Sequence, residues 1–265
     1  GAMVMHEHNH PDTLHLEQDV WKLDLHKITK GRPIGLLTAS PDCTHFSRAR
    51  GSKPVRKRIR GLAWVVCRWA RDLKPDVIIL ENVREFADYG PTTAQVRCGR
   101  CRWSGTYSSA KLYRTRPACP ECNSVRLDET GYELPDPTKK GLTFRRWVGY
   151  LMAAGYDVQW RDLNAADYGS PTNRHRLFVV ARRDGKPICW PEPSHCNPKK
   201  SVAGRKSWRG ACECIDFTLP CPSIFTRSRG PLAEKTMRRI ACGIKRYVLE
   251  NPKPFIVQVA HGDSP

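Results

Sequence analysis

The chain has 265 residues, with 45 Lys and Arg against 26 Asp and Glu, a formal net charge of +19. That length suits one large domain plus an accessory module, and the charge favours a polyanionic partner. No apolar run reaches the roughly 18 residues of a membrane helix, no charged-then-apolar leader is visible, and twelve cysteines point to a reducing, cytoplasmic setting where thiols serve chemistry or metal.

Residues 1–30 are rich in His and Asp and offer one short strand, 14–20. The pattern then alternates: a strand over 34–38, an amphipathic helix over 61–73 carrying Trp64, Val65 and Trp69, a stop at Lys74-Pro75, and a strand over 77–80. The rhythm breaks at Pro91 and resumes near Thr143, with a helix over 144–154 closed by Gly155 and strands over 157–163 and 177–181. Such alternation predicts an α/β fold with a mostly parallel sheet. Segment 92–140 lacks it and reads as an insertion. Beyond Pro187 the chain is rich in Pro, Cys, Lys and Arg until a helix over 232–249.

Two strand ends carry the chemistry. Residues 34–38 run into Ser40-Pro41-Asp42-Cys43-Thr44-His45-Phe46-Ser47, and 77–80 run into Glu81-Asn82-Val83. Open α/β sheets place reactive groups at such ends. A thiol and a carboxyl delivered to one crevice make a nucleophile and a proton donor. Arg174-His175-Arg176, before another strand, adds fixed positive charge. Carbon 5 of cytosine becomes nucleophilic when a thiolate adds at carbon 6 and charge at N3 is quenched. Cys43 suits the attack, a protonated Glu81 the transfer to N3, and Asn82 the fixing of the loop. Arg176 suits holding both Glu81 and the base carbonyl.

On these residues the chain resembles the DNA cytosine-5 methyltransferases, bacterial and bacteriophage members above all. Their Pro-Cys loop matches 41–43 with Phe46, Ser47 and Gly51 in register. Their Glu-Asn-Val matches 81–83, and 163–171 leads into their Gln-x-Arg-x-Arg element. The resemblance covers about 14–91 and 142–185, with a weaker continuation over 215–250. It implies a Rossmann-like class I methyltransferase core, S-adenosylmethionine as methyl donor, double-stranded DNA as partner and a role in restriction–modification. It also implies catalytic roles for Cys43, Glu81, Asn82, Arg174 and Arg176, and cofactor contacts from Asp19, Val20 and Pro41.

Three departures stand out. Asp42 separates Pro41 from Cys43, and Thr172 replaces the Gln. The family's Phe-x-Gly-x-Gly cofactor turn and its C-terminal motifs are not in these residues. The core is therefore expected to be incomplete: a fragment, a partner of a complementing methyltransferase segment, or a degenerate homologue. The rival readings are a DNA-binding homologue without catalysis and a pyrimidine-modifying enzyme that transfers another group.

Cys98-x2-Cys101 and Cys119-x2-Cys122 have the spacing of two knuckles closing one structural zinc site, with Gly99 and Pro120 where tight turns are needed. Basic residues on this ribbon could touch DNA. Cys189, Cys196, Cys212, Cys214 and Cys221 are irregularly spaced and read as scattered thiols. Arg48, Arg50, Lys53, Arg56, Lys57, Arg58 and Arg60 follow Cys43 without an intervening acid and are expected to meet phosphates. A second basic group, Lys199, Lys200, Arg205, Lys206 and Arg209, includes Trp208, which could read or wedge the duplex. The expected organisation is a core over 4–91 and 142–186, a ribbon over 92–141, and the start of a target-recognition region over 187–265.

Overall fold

A computed structural model describes residues 2–42 and 61–250, apart from 217, 221, 222, 224 and 226–229. Cys43 and the basic run Arg48 to Arg60 lie outside the described residues. The chain divides into two compact units, Gly1–Glu213 and Cys214–Pro265.

The first unit opens with two short helices, α1 (Ala2–Asn9) and α2 (Leu25–Thr29). Neither was legible, because α1 carries no apolar stripe and α2 is little more than one turn. Asp24 caps α2 by accepting the Lys27 N–H at 3.1 Å. The strand expected over 14–20 does not form. The Asp19 side chain accepts the Trp21 N–H at 3.0 Å and its carbonyl takes the Lys22 N–H at 2.8 Å, so the backbone turns there instead.

The central sheet follows: β1 (Leu36–Ala39), helix α3 (Trp64–Asp72), β2 (Val77–Asn82). The insertion holds β3 (Thr92–Cys98), β4 (Ser104–Thr106), β5 (Lys111–Tyr113), β6 (Arg116–Ala118) and β7 (Leu127–Pro135). The core resumes with helix α4 (Leu142–Ala153), β8 (Asp157–Asn164) and β9 (His175–Arg182), then the short β10 (His195–Cys196) and β11 (Lys206–Ser207). The second unit contains α5 (Glu234–Ile244), extended by a π-turn over Lys245–Leu249. No helix among the described residues is long and apolar enough to cross a membrane.

The strands order β1-β2-β9-β8. Only β1 and β2 pair in parallel; β2 with β9, and β9 with β8, are antiparallel. The expectation of a mostly parallel sheet is therefore corrected, and the reason is length. Only 165–174 join β8 to β9, in a 3-10 turn and loop too short for a helical crossover, so the chain must double back.

Alternation along β2 and β9 sends Ile78, Leu80, Leu177, Val179 and Ala181 to one face, where α3 and α4 bury them with Val66, Ala70, Trp147 and Leu151. Phe86 joins this core edge-on to Phe144 and Trp147. Two polar tips in the core find backbone partners: Trp147 Nε1 donates to Ala63 O at 2.9 Å, and Tyr156 OH to Pro75 O at 2.8 Å.

Candidate active site and metal centre

The same alternation puts Val77, Ile79 and Glu81 of β2 on the opposite face, beside Arg176, Phe178 and Val180 of β9. They line a cavity of about 670 Å³ whose other walls include Leu163, Tyr168, Arg174, Ile188 and Trp190. Its floor is apolar and its polar end is an ion pair. Arg176 Nε lies 2.8 Å from Glu81 Oε1, and Arg176 Nη1 donates to the His175 carbonyl at 2.8 Å. One planar guanidinium thus grips a carboxylate and the backbone together, a geometry Lys cannot reproduce.

Asn82, the next residue, faces the other way and is 2% exposed. Its Nδ2 donates to Pro41 O at 3.0 Å and its Oδ1 accepts the Val83 N–H at 2.9 Å. The end of β2 is thereby tied to the segment leaving β1, two residues before Cys43. Glu81 and Arg176 are thus brought together, Arg174 lines the same cavity, and Asn82 anchors from behind.

Asp19 and Val20 sit elsewhere, in the turn before α2. Arg68 of α3 clamps that turn, donating to Trp21 O at 2.6 Å and Leu23 O at 3.0 Å. Trp208 is not presented as a wedge. Its indole N–H donates to Asp167 at 2.8 Å and its backbone N–H to Cys196 O at 2.9 Å, fastening 194–208 to the 3-10 turn at 165–168. Composition gave no sign of this role; the partner carboxylate lies 41 residues away.

In the insertion, the sulfurs of Cys98, Cys101, Cys119 and Cys122 all lie within 4.8 Å of one another. Cys98 and Cys122 are 3.6 Å apart, and Cys101 and Cys119 3.4 Å. Four thiolates at zinc–sulfur distance define a tetrahedron of edge about 3.8 Å, close to what is seen. The two knuckles repeat each other. Cys98 N–H donates to Trp103 O at 2.7 Å and Cys119 N–H to Ser124 O at 2.8 Å, each five residues on.

The left-handed backbone each knuckle requires falls on Arg102 (φ 65°) and Asn123 (φ 60°), not on Gly99 or Pro120. Gly99 serves a different need, since a Cβ there would lie 3.0 Å from the Arg126 side chain. Backbone N–H groups of Cys101 and Arg100 pull the Cys98 thiol down to about 6. Cys101, despite the Trp103 N–H, is pushed up to about 12 by sharing protons with its neighbours and by burial. The cluster cannot hold four negative charges without a cation. Among the described residues no other group of this kind occurs.

The profile of the C-5 cytosine-specific DNA methylases matches residues 1–95 and 136–213. The chain belongs to that family. The match leaves out 96–135, the stretch that carries the four cysteines. Among relatives, the chain is 26% identical over 194 residues to Type II methyltransferase M.AquIA of Picosynechococcus, covering 71% of this chain and 61% of that protein. It is 50% identical over 63 residues to Type II methyltransferase M.SacI of Streptomyces achromogenes, 21% of this chain and 16% of that protein. The solved Spodoptera frugiperda DNMT2 superposes at TM-score 0.41 with 17% identity, over 71% of this chain and 40% of that one. The chain thus spans less than two thirds of the relatives it matches.

Proposed function

We propose that this chain is the base-handling part of a DNA cytosine-5 methyltransferase, acting on duplex DNA through a covalent bond between Cys43 and the target base. The observation that carries the reading is the Glu81–Arg176 pair on the open sheet face, with Asn82 holding Pro41 beside it. The target cytosine must leave the stack to reach such a site. The Cys43 thiolate adds to carbon 6 while Glu81 delivers a proton to N3, and Arg176 holds the Glu81 carboxyl toward the ring. Electron density then collects at carbon 5, which takes the methyl group. Loss of the carbon 5 proton to a solvent base expels the thiolate, and return of the N3 proton to the Glu81 carboxylate restores the neutral aromatic ring and the acid.

S-adenosylmethionine is the donor the family implies, and it would supply the methyl group. The residues described here make at most one edge of its site. Asp19 is half-buried with its carboxylate on the Trp21 N–H, and the sequence has no Gly-rich strand turn to approach the cofactor closely. Asp19, Val20 and Pro41 do not form a cradle by themselves; the family's Gly-rich turn would supply the remaining wall. The names of the relatives, Type II methyltransferases, support a restriction–modification role.

The four cysteines would hold one structural zinc. Elemental analysis checks this at one zinc per chain. The experiment for catalysis is trapping on a duplex carrying 5-fluorocytosine, with methyl donor and the complementing segment supplied. A denaturation-resistant complex is expected, absent in Cys43→Ser and much slower in Glu81→Gln. Equal trapping by Cys43→Ser would overturn the assignment.

A further inference from the structure

The charge of the ribbon is sorted. From Arg97 to Arg116 stand six basic residues (Arg97, Arg100, Arg102, Lys111, Arg114, Arg116) and no acid, whereas the five ribbon acids all follow Cys119. The six are all exposed, and none is ion-paired to a carboxylate among the described residues. Arg126, on the acidic side, does face one, Asp128 at 3.7 Å.

Three of the six sit on a two-stranded hairpin. β5 and β6 pair in register, Lys111 with Ala118 and Tyr113 with Arg116, and turn at Arg114-Thr115 with Arg114 at φ 51°. Leu112 is 78% exposed, and the Arg114 guanidinium lies over the Tyr113 ring, 5.7 Å from its centroid. A lone hairpin gains nothing for its own stability from an exposed Leu. The major groove admits a two-stranded ribbon, and cations on it reach the flanking phosphates.

The ribbon is also held in place. Asp136 N–H donates to Pro91 O at 3.0 Å, Gly141 N–H to Asp88 O at 3.1 Å, and Ser108 Oγ to Asp136 at 3.2 Å. Its stem begins at Thr92, ten residues after Asn82.

We infer that the β5–β6 hairpin is a second contact to duplex DNA, set on the catalytic strand by a rigid stem and gripping phosphates away from the target base. The inference rests on the DNA reading above and adds to it a contact outside the residues that the family profile matches.

The test is the salt dependence of binding to a fluorescent duplex of arbitrary sequence, for the wild-type chain and for Arg114→Gln/Arg116→Gln. Loss of two phosphate contacts should flatten the plot of log affinity against log salt by about two, at ~0.9 per contact. Zinc content unchanged from wild type reports that the ribbon remains folded. A photo-crosslinking residue at Leu112, with both arginines kept, should label DNA and does not depend on how the double variant folds. An unchanged slope, or no crosslink at Leu112 while the wild-type chain binds duplex, overturns the hairpin contact and leaves the proposed function standing. If the wild-type chain binds no duplex even at low salt, the DNA reading itself falls, and the hairpin contact with it.

Discussion

At the scale of single residues, adjacent side chains of β2 do opposite work. Glu81 opens into the cavity and Asn82 is sealed behind it. Removing the amide in Asn82→Ala leaves the Pro41 carbonyl and the Val83 N–H without partners, a cost of about 1–3 kcal/mol. Urea unfolding checks that figure. Asn82→Asp keeps the acceptor for Val83 but sets a buried oxygen against the Pro41 carbonyl, so it should not recover the loss. Arg176→Lys keeps the charge but cannot hold Glu81 and the His175 carbonyl at once. Methylation should fall by roughly 10²-fold with stability nearly unchanged, measured by single-turnover methyl transfer. Burial pushes the Cys67 thiol up to about 12, so it should resist alkylation at neutral pH while exposed Cys189 reacts, as mass spectrometry would report. That Glu81 and Arg176 meet was legible because each sits at a strand end and the two carry opposite charges. The side each residue faces was not, since it depends on which face α3 and α4 cover. Trp208 looked free to act on DNA only because its partner, Asp167, is distant in sequence.

At the scale of elements, the ribbon behaves as a module with its own source of stability. It has few buried apolar side chains, Val96 and Ala118 among them, so a metal held by the four cysteines would supply much of its folding free energy. Chelation, or Cys119→Ala, should raise amide hydrogen exchange across 92–135 while β2 and β9 stay protected; loss of protection in the central sheet would contradict this. The stem is close-packed where it meets the core. A Cβ at Gly90 would run into the Lys139 carbonyl. Gly90→Ala should therefore cost about 1–3 kcal/mol through forced backbone shifts, read as a lowered urea midpoint. The spacing of the cysteines announced their clustering, because two CxxC turns present paired thiols to one point. The ribbon strands were hidden, being mostly three residues long, and so were the left-handed positions, since Arg102 and Asn123 stand where Gly would have flagged them. The false strand at 14–20 failed for a local reason, the Asp19 side chain capturing the backbone two residues on.

At the scale of the whole molecule, the sequence conveyed the strands and helices of the sheet to within a few residues but not their directions. Periodicity says which residues pair with a core; only the length of 165–174 says that β9 must run back against β8. Sheet order has a consequence for how this protein behaves in the tube. β1 is an end strand, and one row of its amide and carbonyl groups has no strand beside it among the described residues. Leu36 on that strand is 55% exposed. A rim without a neighbouring strand among the described residues is a template for any passing extended chain, including a second copy of itself. Concentrated stocks should therefore thicken into soluble aggregates rich in intermolecular β-structure, seen as growth of the corresponding infrared band with protein concentration. A charge placed on the rim, Leu36→Lys, should keep the same stocks monodisperse by light scattering.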